Sequence, residues 1–282
     1  SIAPWNFPIH LLTRSIAAAL AAGNTVVCKA ATLTPVTSQM LAEVFLEAGV
    51  PAGVYNIVSG SGGVVGEELL ASDEVAMVAL TGSEEVGRRL MAASSQAKRI
   101  KPLSLELGGK SPIIVVPDCD MNGALNSVIL GFCMNQGEVC VSTSRLLLND
   151  AIYDEFMEKL VRRVQKIKIG DCLNDDTQMG SLISADHRKS VHGFVERALA
   201  AGGKLACGGH MLTEAPYDKG CFYAPTIIEN VTPDMELFQE EVFGPVLAVT
   251  RYKTLDEAVE LANATRFALG ASIFTENIRK MY

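Results

Sequence analysis

Apolar positions along the first 107 residues recur in two alternating periods. Thr25 to Cys28 reads as a short buried strand. Residues 35–48 carry helical spacing that ends at Gly49 with Pro51 behind it. The alternation continues with strands over 54–58, 75–80 and 103–107 and helices over 64–71 and 84–97. Strands separated by helices of this length predict βαβ units and a parallel sheet, and such sheets bind ligands at the carboxyl ends of their strands.

The stretch Leu107-Gly108-Gly109-Lys110-Ser111-Pro112 predicts a hinge, dividing residues 1–107 from residues 108–282. Beyond it comes a second alternating set. Strands are expected over 113–116, 146–148, 224–228, 246–249 and 269–274, with helices over 121–134, 152–167, 185–200 and 255–262. No internal repeat or low-complexity run interrupts the pattern. The class is α/β, in two lobes.

Composition narrows the function classes. Hydrophobic residues make up 49% of the 282 and charged ones 20%, enough for a sizeable core and against disorder. The net charge of -8, with no Lys/Arg cluster, excludes a phosphate-backbone binder, so no nucleic-acid partner is expected. The 7 cysteines (28, 119, 133, 140, 172, 207 and 221) are odd in number and form no Cys-x-x-Cys pair. That predicts reduced thiols in a cytoplasmic protein rather than a disulfide framework or a zinc site. The 4 histidines offer no metal spacing, and His187 and His192 read as surface positions of one helix. No basic-then-apolar leader and no apolar run near about eighteen residues is present, so neither secretion nor membrane spanning is expected. The chain opens on Ser1 rather than Met and its last strand lies near the end, so both ends read as cut from a longer protein.

Candidate chemistry centres on Phe132 to Val141. Cys140 follows the turn signal Gln136-Gly137-Glu138 and precedes the strand-like run 144–148, so its thiol sits in a loop between packed elements. A nucleophile there is held rigidly yet remains reachable; a buried core cysteine is the plainer reading. Glu106 stands at a strand end beside Gly108-Gly109, where a carboxylate can act as a general base, or be a solvated loop residue. Asn6 is set between Trp5 and Phe7 with prolines at 4 and 8. A preplaced amide of this kind suits an oxyanion donor, and a capped Pro-rich turn equally. Gly82 and Gly87 flank Ser83 where a strand gives way to a helix, a place that can bring backbone N–H groups to a phosphate. Lys29 ends the first strand, where a ribose or phosphate partner is expected if the lysine is not simply solvated. Glu241 precedes the Gly244-Pro245 turn with Phe243 between them. The run Ser59 to Gly63 reads as a flexible turn.

Taken together these segments resemble the aldehyde dehydrogenase superfamily, over essentially the whole chain. Pro4-Trp5-Asn6-Phe7-Pro8 is similar to its asparagine motif and Leu105 to Pro112 to its glutamate signature. Phe132 to Val141 is similar to its cysteine signature, and Glu241 to Pro245 to its nicotinamide-ribose motif. Several motifs in the family's order carry far more weight than any one alone. The resemblance implies a Rossmann-like cofactor-binding lobe (1–107) and a second α/β catalytic lobe (108–282), both partial. It implies Cys140 as nucleophile, Asn6 with the Cys140 N–H as oxyanion donors, and Glu106 as the base that activates water. It further implies Glu241 at the nicotinamide ribose with Phe243 nearby, Lys29 and Thr32 at the adenosine ribose, Gly82, Ser83 and Gly87 at the pyrophosphate turn, and Trp5 and Leu107 lining the cofactor. The expected cofactor is NAD or NADP, the substrate a small aldehyde, and the full-length parent a homodimer or homotetramer.

Two departures bear on that reading. After Lys29 many NAD-preferring relatives continue Pro-Ser-Glu, whose glutamate grips both ribose hydroxyls, whereas this chain reads Ala30-Ala31-Thr32. A threonine removes the carboxylate that would repel a 2′-phosphate, which admits NADP. Arg14-Ser15 stands where relatives often carry Trp-Lys. Glu106 itself points to hydrolysis, since members that pass the acyl group to coenzyme A typically lack it. The competing readings are a non-catalytic binding or structural relative, inactive as a truncated piece, and cofactor-free thioester hydrolysis by Cys140.

Overall fold

The computed structural model describes residues 1–281. Helix α1 (Pro8–Ala21) starts on a proline, whose fixed φ suits a first turn and whose missing N–H is not needed there. It buries Leu12 and Ile16, each worth about 1.5–3 kcal/mol of transfer from water. The Pro-rich stretch before it reads as a turn in sequence, and this helix is not anticipated there. Next come β1 (Val26–Lys29), α2 (Pro35–Glu47), β2 (Tyr55–Val58), α3 (Gly62–Ala71), β3 (Val78–Thr81), α4 (Glu84–Gln96) and β4 (Leu103–Glu106). The run Ser59 to Gly63 is a helix start: Ser61 caps α3 by accepting from the Val64 N–H at 3.4 Å.

Strands β1 and β2 pair in parallel, as do β3 and β4. Ser1 to Ala3 lies between the pairs. The Lys29 N–H donates to the Ser1 carbonyl at 2.8 Å, the Ala3 N–H to Lys29 at 3.1 Å, and the Ile2 N–H to Ala79 at 2.8 Å. Ile2 is bridged in parallel to both Lys29 and Leu80. These three residues therefore act as the strand that joins the pairs, and the chain leaves toward Trp5 and Asn6 at the carboxyl end. Ile2 packs with Leu70, Val78, Leu80 and Leu90, and Ala3 with Leu12, Ile16, Val26 and Cys28.

Contacts divide the chain into Ser1–Gly108 and Gly109–Tyr282. The second unit holds β5 (Pro112–Val115), α5 (Met121–Cys133), β6 (Arg145–Asn149), α6 (Tyr153–Val164) and α7 (Ala185–Ala200). It continues with β7 (Lys204–Cys207), β8 (Thr226–Glu229), α8 (Glu236–Gln239), β9 (Val246–Tyr252), α9 (Leu255–Asn263) and β10 (Ser272–Phe274). Its 6-stranded sheet runs β10-β5-β6-β9-β8-β7. All neighbours are parallel except β7 on β8, an antiparallel edge strand that the sequence pattern does not reveal. Alternate residues feed opposite faces. Ile113, Val115, Leu146, Leu148 and Leu247 pack with α5 and α6, while Ile114, Leu147, Val246 and Ala248 pack with α7 and α9. Burial on both faces explains why β6 is apolar through Leu146-Leu147-Leu148.

Arg145 opens β6 and is buried. It donates to the carbonyls of Lys110 (2.8 Å), Leu261 (2.9 Å) and Ala262 (2.8 Å), and its guanidinium lies over the Phe238 ring. One side chain thereby ties the segment after Gly109 to the end of α9.

Candidate active site

The loop that carries Cys140 begins where α5 ends. Asn135, Gln136 and Gly137 follow in succession with φ of 47°, 58° and 73°. Left-handed non-glycine residues cost about 1–3 kcal/mol each and persist only when their surroundings fix them. Here the Gln136 Oε1 accepts from the Gly180 N–H at 3.1 Å, and the Asn135 carbonyl accepts from the Glu138 N–H at 2.9 Å. At Gly137 a methyl group would overlap the backbone of Gly244, so glycine alone lets these two segments meet. Beyond it Val139 is buried and a turn closes with the Ser142 N–H on the Val139 carbonyl at 3.0 Å. The Ser142 hydroxyl and the Thr143 N–H then both donate to the Gly131 carbonyl, at 2.8 and 3.1 Å. Cys140 is left partly exposed at the turn. A methyl at Gly109 would overlap the Cys140 carbonyl oxygen. Burial pushes the thiols of Cys28 and Cys207 up to about 11 and raises Cys133 further, so these make poor nucleophiles.

A second loop lies against the first. The Glu241 Oε1 accepts from the Gly109 N–H at 3.1 Å. Burial raises its pKa, against the pull of that hydrogen bond and of the Lys110 charge. Lys110 is 1% exposed, and its Nζ has no hydrogen-bond partner among the described residues. Burial and then the Arg145 charge bring its pKa down to about 7. Phe243 has a φ of 56°, and its carbonyl lies 2.6 Å from His187 Nε2. The same Nε2 is 3.7 Å from the Glu138 Oε1, which accepts from the Ile183 N–H at 2.9 Å. Glu138 is 3% exposed, and burial pushes its carboxyl up to about 7.

The surface reading of the two histidines is therefore corrected. His187 shares a helix face with Val191 and Val195, both buried, at successive steps of four. His192 is half-buried, its Nδ1 3.0 Å from the Tyr223 hydroxyl.

In the Ser1–Gly108 unit, parallel pairing brings Lys29, Thr81 and Glu106 to the carboxyl ends of β1, β3 and β4. Lys29 is buried rather than solvated, with Nζ 3.4 Å from the Thr32 hydroxyl, and burial lowers its pKa. The Thr32 hydroxyl also donates to the Gly60 carbonyl at 3.3 Å. The Gly82 N–H donates to the Glu106 carbonyl at 3.0 Å. Ser83 caps α4, accepting from the Val86 N–H at 3.3 Å. Glu84 and Glu85 occupy the first turn of α4, and Glu84 is tied to Arg88 at 2.5 Å. Gly87 faces Leu107, whose side chain occupies the space a methyl would need. Asn6 precedes α1, and the Trp5 carbonyl accepts from the Thr34 hydroxyl at 3.5 Å. The Glu106 carboxylate meets Arg14 at 2.8 Å.

Two groups result. Lys29, Thr32, Gly82, Ser83 and Glu106 belong to one unit with Trp5, Asn6, Gly87 and Leu107; Cys140, Glu241 and Phe243 belong to the other. Sequence reasoning missed Arg14 as a partner of Glu106, and missed Lys110, Glu138 and His187. The last had a usable signal, its spacing from Val191. Among the described residues no His/Cys/Asp/Glu cluster could hold a metal, and no helix is long and apolar enough to cross a membrane.

Comparison with known proteins adds an independent line. The profile described as the aldehyde dehydrogenase family matches residues 1–282. A betaine aldehyde dehydrogenase of Bacillus subtilis (strain 168) is 42% identical over 279 residues, 99% of this chain and 56% of that protein. Among solved structures, an NAD-dependent aldehyde dehydrogenase from Sinorhizobium meliloti matches with a TM-score of 0.95 at 42% identity, covering 99% of this chain and 55% of that one. An NADP-dependent enzyme of E. coli matches with a TM-score of 0.95 at 38% identity, covering 99% and 57%. The chain spans a little over half the length of the relatives it matches.

Proposed function

The chain belongs to the aldehyde dehydrogenase family, and from that premise we propose that the protein carrying it oxidises an aldehyde to a carboxylic acid with NAD or NADP. The observation that carries this reading is the Cys140 loop, a partly exposed thiol on a strained turn fixed from several sides. Residues 1–107 act as the cofactor-binding domain and 108–282 as the catalytic domain.

The chain's own residues fit a dinucleotide. Lys29 and Thr32 at a parallel strand end suit an adenosine ribose, and Thr32 carries no charge to repel a 2′-phosphate. Gly82 and Ser83, with Gly87 behind them, bring a helix N-terminus to the pyrophosphate, although Glu84 and Glu85 weaken its positive end. Glu241, held by the Gly109 N–H, suits the nicotinamide ribose, with Phe243 beside it and Trp5 and Leu107 lining the cofactor.

The Cys140 thiolate attacks the aldehyde carbon, forming a C–S bond and an oxyanion. The Asn6 amide and the Cys140 N–H donate to that oxyanion. Nicotinamide, when bound, supplies the hydride acceptor that leaves a thioester on Cys140. Glu106 takes a proton from water as the water oxygen attacks the thioester carbon. The C–S bond breaks, the acid departs, and Cys140 returns as thiolate.

We further propose a reducing, cytoplasmic setting for the cysteines, which form no disulfide among the described residues, and a homodimer or homotetramer for the whole protein. The deciding experiment follows reduced-nicotinamide absorbance with an aldehyde panel, NAD and NADP in parallel, in the whole protein and its Cys140→Ser variant. The expected outcome is a signal with at least one cofactor, lost in Cys140→Ser while cofactor binding persists. Silence with both cofactors in a folded protein would favour a binding or structural relative.

A further inference from the structure

We propose that His187 is a positioning residue that clasps the Cys140 loop to the loop of Glu241 and Phe243. Its meaning for catalysis rests on the dehydrogenase reading, but the clasp itself is a property of the Gly109–Tyr282 unit. A carbonyl oxygen can only accept, so the 2.6 Å contact requires that His187 Nε2 carry hydrogen and donate to Phe243. The same nitrogen sits 3.7 Å from the Glu138 carboxylate, on the loop that leads to Cys140. One imidazole thus stands between the residue two before the nucleophile and the residue two after Glu241.

Four further observations converge on this point. Phe243 holds a left-handed φ of 56°, which a bulky residue keeps only where its surroundings fix it. The backbones of Gly137 and Gly244 meet too closely to admit a methyl on Gly137. A methyl on Gly244 would strike Val191, one helical turn beyond His187, so α7 backs the same contact with an apolar side chain. The same Glu138 Oε1 accepts from the Ile183 N–H at 2.9 Å, just ahead of the Ser184 cap that starts α7. The N-terminal turn of α7 is therefore a common anchor of both loops, and the His187 side chain reaches both. The expected consequence is coupling: what orders the ribose-side loop also orders the thiol loop.

The test compares wild type, His187→Leu and His187→Gln in the whole protein without cofactor. Amide hydrogen exchange is read over 134–141 and 241–246, and alkylation of Cys140 is quantified by peptide mapping. His187→Leu leaves the Phe243 carbonyl without its donor, so exchange should rise about fivefold or more in both segments together. Cys140 alkylation should change in step. His187→Gln keeps an N–H donor and should restore both segments toward wild type. Loosening confined to 241–246, or no change in either segment, would overturn the clasp. Equal loosening by His187→Gln would reduce His187 to a packing residue and overturn it as well. These readouts need no turnover, so a wild type silent with NAD and NADP would sink the dehydrogenase reading and leave the clasp to be decided by exchange.

Discussion

Glu106 carries the base role in the proposed reaction, and its carboxylate is already engaged by a guanidinium at 2.8 Å. The two side chains are 37% and 47% exposed, so solvent screens the pair and it contributes at most about 1 kcal/mol. That is enough to bias where the carboxylate rests and too little to trap it. Arg14→Met is therefore expected to leave the melting temperature nearly unchanged. It should speed acid release by no more than about fivefold, the factor that ~1 kcal/mol allows. Glu106→Gln should behave differently, slowing steady-state turnover by about 10²–10⁴ while sparing an initial burst of reduced cofactor. Stopped-flow absorbance separates the two; a Glu106→Gln protein at full steady-state rate would remove Glu106 from the mechanism. At this scale the sequence was informative where chemistry is local. Cys140, Glu106 and Asn6 stand in short, distinctive strings, and Glu106 and Lys29 do end strands. Arg14 and His187 were opaque because their partners lie far along the chain, Arg14 reaching Glu106 and His187 reaching Phe243.

Elements were legible wherever one period ran long enough to count. The helix over 185–200 matches α7, and the expected ends of α2, α4 and α9 differ from the observed ones by one residue each. Shorter strands slipped more: the run 75–80 becomes Val78–Thr81 and 269–274 becomes Ser272–Phe274. In the first run Val75 packs against the core outside the ladder while Met77 is exposed, and periodicity alone does not distinguish such uses. The conformation of Asn135 to Gly137 was not legible either, since Gln136 takes its left-handed φ from tertiary partners. Gly137 gives this element its own prediction. Gly137→Ala adds a left-handed strain of about 1–2 kcal/mol and a methyl that overlaps the Gly244 backbone. The expected total is at least ~2 kcal/mol lost from the Gly109–Tyr282 unit, with faster exchange in 134–141 and 241–246. A cost within about 0.5 kcal/mol, measured by urea unfolding, would mean that the two loops separate freely.

At the scale of the whole molecule, buried ionisable groups set how stability follows pH, and here they work against the common pattern of a maximum near neutrality. Burial raises Glu138 from 4.5 to about 7, so between those values the folded unit holds a proton that the unfolded chain has released. Stability contributed by this group falls as pH rises through that window. Glu241, also raised by burial, acts in the same direction. His187, lowered by burial, opposes them below its ordinary 6.5. Lys110 is lowered from 10.5 to about 7, so between pH 7 and 10.5 the unfolded chain holds a proton that the folded unit lacks. Stability contributed by Lys110 therefore rises across that range. The contributions of Glu138 and Lys110, taken by themselves, are least favourable near neutral pH. Variants isolate the two limbs. Lys110→Met should be more stable than wild type at pH 7, by up to a few kcal/mol, with the gap closing as pH approaches 10.5. Glu138→Gln should flatten the decline between pH 4.5 and 7. Denaturant unfolding followed by hydrogen exchange in β5, β6 and β9 reports on this unit alone. A Lys110→Met gap that does not change with pH would show that the ammonium stays charged in the folded state, solvated or paired.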